Sequence, residues 1–184
     1  MRIIRLVVLI TLGLLSGHVC AQERADAQLA LLAYFEATRT YDTVTMSSMM
    51  HPKALYRFRN TINLALRGPN SEAAESTLLP LFAVNSVSEF EALSDVEAYQ
   101  RLNDVIASSV PELIAMMRDA SMEIVGETHR ESIVYVTYVM KMKIEGEEIE
   151  VEVVQKLKQH DGVWMLLLPS KADATIAGIE AEFF

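Results

Sequence analysis

The sequence predicts an α+β fold in which N-terminal helices pack on a curved four-stranded antiparallel sheet. Three observations predict it. Apolar residues recur at spacings of three and four up to about residue 120, Ile133 to Ile144 alternates strictly, and Glu145-Gly146 and Asp161-Gly162 read as hairpin turns. A run of helices followed by a run of strands places the helices on one apolar face of a single sheet.

The chain opens with Arg2 and Arg5, an apolar-rich run from Leu6 to Leu15, and small residues ending at Val19, Cys20 and Ala21. That run is too short to span a bilayer, and the pattern is that of a secretory signal peptide over residues 1–21, with export to a periplasmic or extracellular space. A competing reading lipidates Cys20, but Gly17 and Val19 stand where that processing favours leucine and a small residue. Cleavage after Ala21 would remove the single cysteine. Disulfides, thiol nucleophiles and cysteine-based zinc sites would go with it.

The rest, 22–184, reads as one domain of about 160 residues, long enough to bury a core without metal or disulfide. The chain has 16 Lys+Arg against 25 Asp+Glu, a net charge of −9. Without Arg2 and Arg5 it becomes −11 (−9 − 2), which argues against nucleic-acid binding, since a phosphate backbone requires clustered cations.

Residues 25–40 carry Leu29, Leu32, Ala33 and Tyr34 among few charges and read as a largely buried helix. Asp42 caps a short helix through Met50. Pro52 suits a first helical position, and Leu55, Phe58, Ile62 and Leu66 form a stripe that ends at Gly68. Helix is expected around Ala73 to Phe82. Ser94 and Glu97 have capping-box spacing for a helix near 95–109, and Pro111 opens another.

Ser121 to Glu127 is read as the first strand. In the second, Val134, Val136, Tyr138, Met140, Met142 and Ile144 share one face, and Ile133, Tyr135, Thr137, Val139, Lys141 and Lys143 the other. A turn at Glu145-Gly146 sets Lys143 opposite Glu148, Lys141 opposite Glu150, Met142 opposite Ile149 and Met140 opposite Val151. Asp161-Gly162 sets Leu157 opposite Leu166. The inner face then reads as Val, Met, Ile and Leu with Tyr138 alone.

The opening LLAYFEATRTYDTVTMSSMMHPKALYRF and the closing MEIVGETHRESIVYVTYVMKMKIEGEEIEVEVVQKLKQHDGVWMLLLP resemble the cone-shaped, cystatin-like domains of the nuclear transport factor 2-like superfamily. The shared traits are a helical pair broken at His51-Pro52, long curved strands and a closing Asp161-Gly162-x-Trp164 hairpin. The helical insertion at about 70–120 departs from that pattern. The resemblance implies either a ligand-binding cone or a small isomerase or cyclase with an acid/base group facing its interior.

The positional candidates for such a group are Tyr34, Asp42, His51 and Tyr56, with Tyr138 on the sheet. Helix capping by Asp42 and His51 explains both without catalysis. Met46, Met49 and Met50, with Met140 and Met142, could present thioethers to Cu(I), but their spacings are those of core positions, so no cofactor is expected. His129 and His160 lie in or beside turns and read as solvated.

Two binding surfaces are expected. Arg57 and Arg59 belong to a run of four cations between His51 and Gly68, followed by seven acids in 69–104. They either hold an anionic ligand or neutralise that segment, and about 200° of helix separates the two arginines. On the outer sheet face, Tyr135, Val139, Val154, Met165 and Leu167 make an apolar patch. Either a partner covers it, a second copy of the chain included, or residues 171–184 fold back over it. The function expected is a non-catalytic binding or protein-interaction module for a small apolar ligand or a protein.

Overall fold

The computed structural model describes residues 26–144 and 146–184; the expected signal peptide and Cys20 lie outside the described residues. Helix α1 covers 26–40 and is followed by α2 (Thr43–Ser48), α3 (Pro52–Leu66), α4 (Ser71–Leu78) and a 3-10 turn (Leu79–Phe82). Then come α5 (Val87–Glu91), α6 (Asp95–Ser109) and α7 (Pro111–Arg118). Strands β1 (Ser121–Arg130), β2 (Ile133–Ile144), β3 (Glu147–His160) and β4 (Val163–Leu166) precede the closing α8 (Ser170–Phe183). Among the described residues no helix is long and apolar enough to cross a membrane.

The helix starts follow local chemistry. Asp42 accepts from the Thr45 amide at 3.0 Å, satisfying one orphan donor of α2. The ring Nδ1 of His51 does the same for the Lys53 amide at 3.0 Å, with Pro52 next in line. Ser94 and Glu97 form both bonds of the capping box on α6.

The four strands form an antiparallel meander in the order β1-β2-β3-β4. Lys143 pairs with Glu148, Lys141 with Glu150, Met142 with Ile149, Met140 with Val151, and Leu157 with Leu166, as the turn chemistry requires. Asp161 and Gly162 both have positive φ, 51° and 80°, the conformation of a two-residue turn that matches the twist of the strands. The side chain of Lys141 sits 3.0 Å from Glu150 on the outer face.

Val134, Val136, Leu157 and Leu166 are almost completely buried against Ala27 and Leu31 of α1, Ala54 and Leu55 of α3, and Ile176 of α8. A second cluster joins α3 and α4 to Phe82, Phe90, Ala98 and Phe183, and a third joins Phe35, Met117, Ala120 and Met142.

Four expectations change. In α1 it is Ala27, Leu31 and Phe35 that are buried, while Leu29 and Leu32 are 61% and 42% exposed. A stripe at spacing four faces the sheet, and Leu29 lies about 200° from Leu31. Ile144 is also exposed, on an open cleft that it shares with Val110, Leu113 and Met116. Strand β1 runs to Arg130 and contains a bulge between Ile124 and Gly126. The extra residue reverses the alternation, so Glu127 pairs with the inward Val136. Finally, α8 joins the helical layer, packing on α3 and α4, instead of folding back over the outer sheet face.

Candidate functional site

A cavity of about 310 Å³ lies between the inner sheet face and helices α1, α3, α6 and α8. Met50, Phe58, Leu102, Leu166, Leu168 and Ile176 form most of its apolar wall. Strand parity brings Tyr138 and Gln155 to its floor, since both share the face of Val136 and Leu157. Helix α6, from the segment expected to be an insertion, supplies Tyr99 and Leu102. Helix α8 supplies Ala172, Thr175, Ile176 and Ile179.

Three phenols, the Gln155 amide and the Thr175 hydroxyl are the polar side chains on the wall among the described residues. The hydroxyls of Tyr34 and Tyr99 lie 3.1 Å apart, joining α1 to α6. Burial, followed by the neighbouring Tyr99, holds the Tyr34 phenol well above its ordinary value of 10.0. Burial also raises Tyr99 and Tyr138. All three are neutral over the physiological range, and they offer hydroxyl donors rather than phenolate bases.

Gln155 is 5% exposed. Its Nε2 donates to the Leu167 carbonyl at 2.6 Å and to the Lys156 carbonyl at 3.0 Å. Two carbonyl partners fix the amide orientation, because Oε1 in that place would face two acceptors. This buried side chain corrects the expectation of an inner face with Tyr138 alone. Its odd number among inward residues 149–157 was the available signal. Tyr99 and the α8 residues had no such signal, since only tertiary packing brings them here.

The charged candidates lie elsewhere. Asp42 is fully committed to capping α2, where bonds from Thr45 lower its pKa. His51 is buried at the start of α3, and Tyr56 is 61% exposed. None of these three lines the cavity. Burial, then the nearby His160, Lys158 and Lys53, lowers the pKa of His51. His160 is not an isolated turn residue, for its ring centroid is 5.3 Å from that of His51. His129 is likewise partnered, with Nε2 2.5 Å from Glu127 Oε1. The carboxylate of Glu127 also accepts from Gln28 at 2.8 Å.

Arg57 binds Asp173 of α8 at 2.6 Å, and Arg59 donates to the Glu91 carbonyl at 2.7 Å and reaches Asp95 at 3.5 Å. Arg67 pairs with Glu91, so the basic run does meet the acidic segment after it. Tyr135, Val139, Val154 and Met165 stay on the outer face, each half-buried and outside the three core clusters. Leu167 does not stay with them; it packs on the sheet-facing core and lines the cavity. Strand β4 ends at Leu166, and Pro169 then leads the chain into α8 on the helical side.

Comparison with protein-family models, with curated proteins and with solved structures finds no match for this chain. Met50 belongs to the sheet-facing core, whereas Met140 and Met142 pack with Phe35 and Met117. Among the described residues no three His, Cys, Asp or Glu side chains gather as a metal-binding group.

Proposed function

We propose that this protein is a non-catalytic binding module that holds one small, neutral, largely apolar molecule in the cavity beneath α8, and that it acts in the exported space addressed by residues 1–21. The observation that carries the reading is the wall itself: about 310 Å³ of largely apolar space with phenol, amide and threonine hydroxyl groups and, among the described residues, no Lys, Arg, His, Asp or Glu side chain. Cavities of this size and lining are what small-molecule sites require, apolar surface for affinity and a few fixed polar groups for orientation. An isomerase or cyclase would need a proton acceptor with a pKa near the working pH. The ionisable groups on this wall are phenols shifted the other way. The helices-then-sheet order supports extending the proposal to a nuclear transport factor 2-like cone.

Titration with naphthalene, followed by backbone NMR shifts, tests the reading. One equivalent should perturb Tyr99, Gln155 and Ile176, and Ala172→Trp, which fills the cavity, should abolish the effect. Shifts that persist unchanged in Ala172→Trp, or none at saturation, would overturn it.

A second reading rests on a separate observation, the half-buried Tyr135, Val139, Val154 and Met165 on a sheet face that α8 leaves uncovered. That face is proposed as a surface for a protein partner, a second copy included. A doubled mass in native mass spectrometry that reverts in Val139→Lys would support the homodimer, and a monomer at all concentrations would remove it.

A further inference from the structure

We infer that the molecule held in this cavity carries a hydroxyl group, and that the Gln155 side-chain oxygen receives its proton. The inference rests on the cavity being a ligand site and adds the chemical class of the ligand. Both protons of the Gln155 amide are spent on the backbone carbonyls of Lys156 and Leu167. Oε1 is left as an acceptor on the cavity wall, and among the described residues it receives no hydrogen bond. Oε1 opens on the cavity, so any ligand that fills the space takes water from it; a ligand that donates to it replaces that bond, whereas one that merely fills the space leaves the acceptor unpaired.

The neighbouring groups complete the recognition of an alcohol. Tyr138 pairs with Val153, two residues from Gln155 on the same face, which makes Tyr138 and Gln155 diagonal neighbours with backbones roughly 7–8 Å apart. A hydroxyl between them gives its proton to Gln155 Oε1 and accepts one from the Tyr138 phenol. Ethers and ketones accept but cannot donate, so they leave Oε1 unpaired. Carboxylates would be buried without a cation, since among the described residues no Lys, Arg or His side chain lines the wall. The class that fits is a neutral apolar alcohol, the hydroxyl attached to a hydrocarbon body that fills the space between α1, α6 and α8.

Three naphthalene derivatives of one skeleton test this on the unmodified chain: 2-naphthalenemethanol, its methyl ether, and 2-naphthoate. Isothermal titration calorimetry should rank the alcohol first, ahead of the ether by about threefold to tenfold, the size of one hydrogen bond. The carboxylate should bind more weakly than either. Gln155→Leu should reduce the alcohol to the affinity of the ether. Equal affinities for alcohol and ether in the unmodified chain would overturn the inference and leave the cavity reading standing. Failure of naphthalene and all three derivatives to bind would overturn the cavity reading itself. The ligand comparison needs no variant, so a Gln155→Leu chain that failed to fold would not protect the inference.

Discussion

The hydroxyl of Tyr34 on α1 meets that of Tyr99 on α6 at 3.1 Å, a side-chain bond that ties the first helix to α6 at the cavity wall. Either group can be the donor, and whichever accepts keeps its own proton for another partner. Tyr34→Phe or Tyr99→Phe removes that bond and should cost about 0.5–1.5 kcal/mol by urea denaturation. The double variant should cost less than the sum, because each single change already breaks the shared bond.

The same phenols set an alkaline limit. Their folded-state pKa values are raised by burial, so the folded chain keeps protons that the unfolded chain loses above about pH 10. Their contribution is fully present below that value and is lost as pH rises through the folded-state values. Phenolate absorbance for these tyrosines should therefore appear together with unfolding, not before it. Titration of all six tyrosines while the far-ultraviolet circular dichroism stays constant would contradict this.

At the acid end the relevant group is His51, whose pKa is lowered, chiefly by burial, from an ordinary 6.5. The unfolded chain then binds more protons below pH 6.5, so stability is present above that value and falls as pH drops toward the folded-state pKa. Protonation would also remove the Nδ1 lone pair that caps α3. His51→Asn keeps a capping oxygen and should flatten the slope of melting temperature against pH between 7 and 5. His51→Ala should lose about 1 kcal/mol at pH 7.5 through the lost cap. A slope unchanged in His51→Asn would assign the acid loss to another group.

Gly68 shows a constraint of a different kind. A Cβ at this position would lie 2.9 Å from the Phe183 carbonyl oxygen and 3.2 Å from that of Leu64. Backbone cannot step aside as a side-chain end can, so Gly68→Ala should destabilise the fold by about 1–3 kcal/mol. The strain falls where α8 meets α3, and heteronuclear NMR should show the last turn of α8 frayed in the variant while β2 and β3 are unchanged.

Much of this architecture is written locally. The alternation of Val134, Val136 and Met142 and the Asp161-Gly162 turn fix the β2–β3 and β3–β4 register, because a slip of one residue would bury Lys141 and Lys143. Asp42, His51, Ser94 and Pro111 mark helix starts by chemistry that needs no tertiary contact. The β1 bulge has no comparable signature, and with it went the inward placement of Glu127 and the bond to His129. The direction of α8 was equally hidden. Its sequence is weakly amphipathic, and the choice between the two sides of the sheet depends on Ile176 and Phe183 finding spaces that other helices leave. The cavity exists only because of that choice, so Tyr99 and the α8 wall could not be assigned to a site in advance, whereas Tyr138 and Gln155 followed from parity.

Asp173 holds the first turn of α8 down on the rest of the fold, with Arg57 of α3 at 2.6 Å and Lys156 of β3 at 2.5 Å. The pairs are partly exposed, so Asp173→Asn should cost about 1 kcal/mol or less in global stability. Its local effect should be larger. The helix covers the cavity through Ala172, Thr175 and Ile176, and loosening its N-terminal end opens the wall nearest the sheet edge. Amide hydrogen exchange over 172–176 should therefore quicken in Asp173→Asn, while amides of β2 keep their protection. Naphthalene should enter and leave faster with little change in its dissociation constant, since the clasp touches the lid and not the ligand. High salt on the unmodified chain should move the exchange rates in the same direction by screening the exposed Arg57 pair. Unchanged exchange over 172–176 would mean that packing of Ile176 alone holds α8 shut.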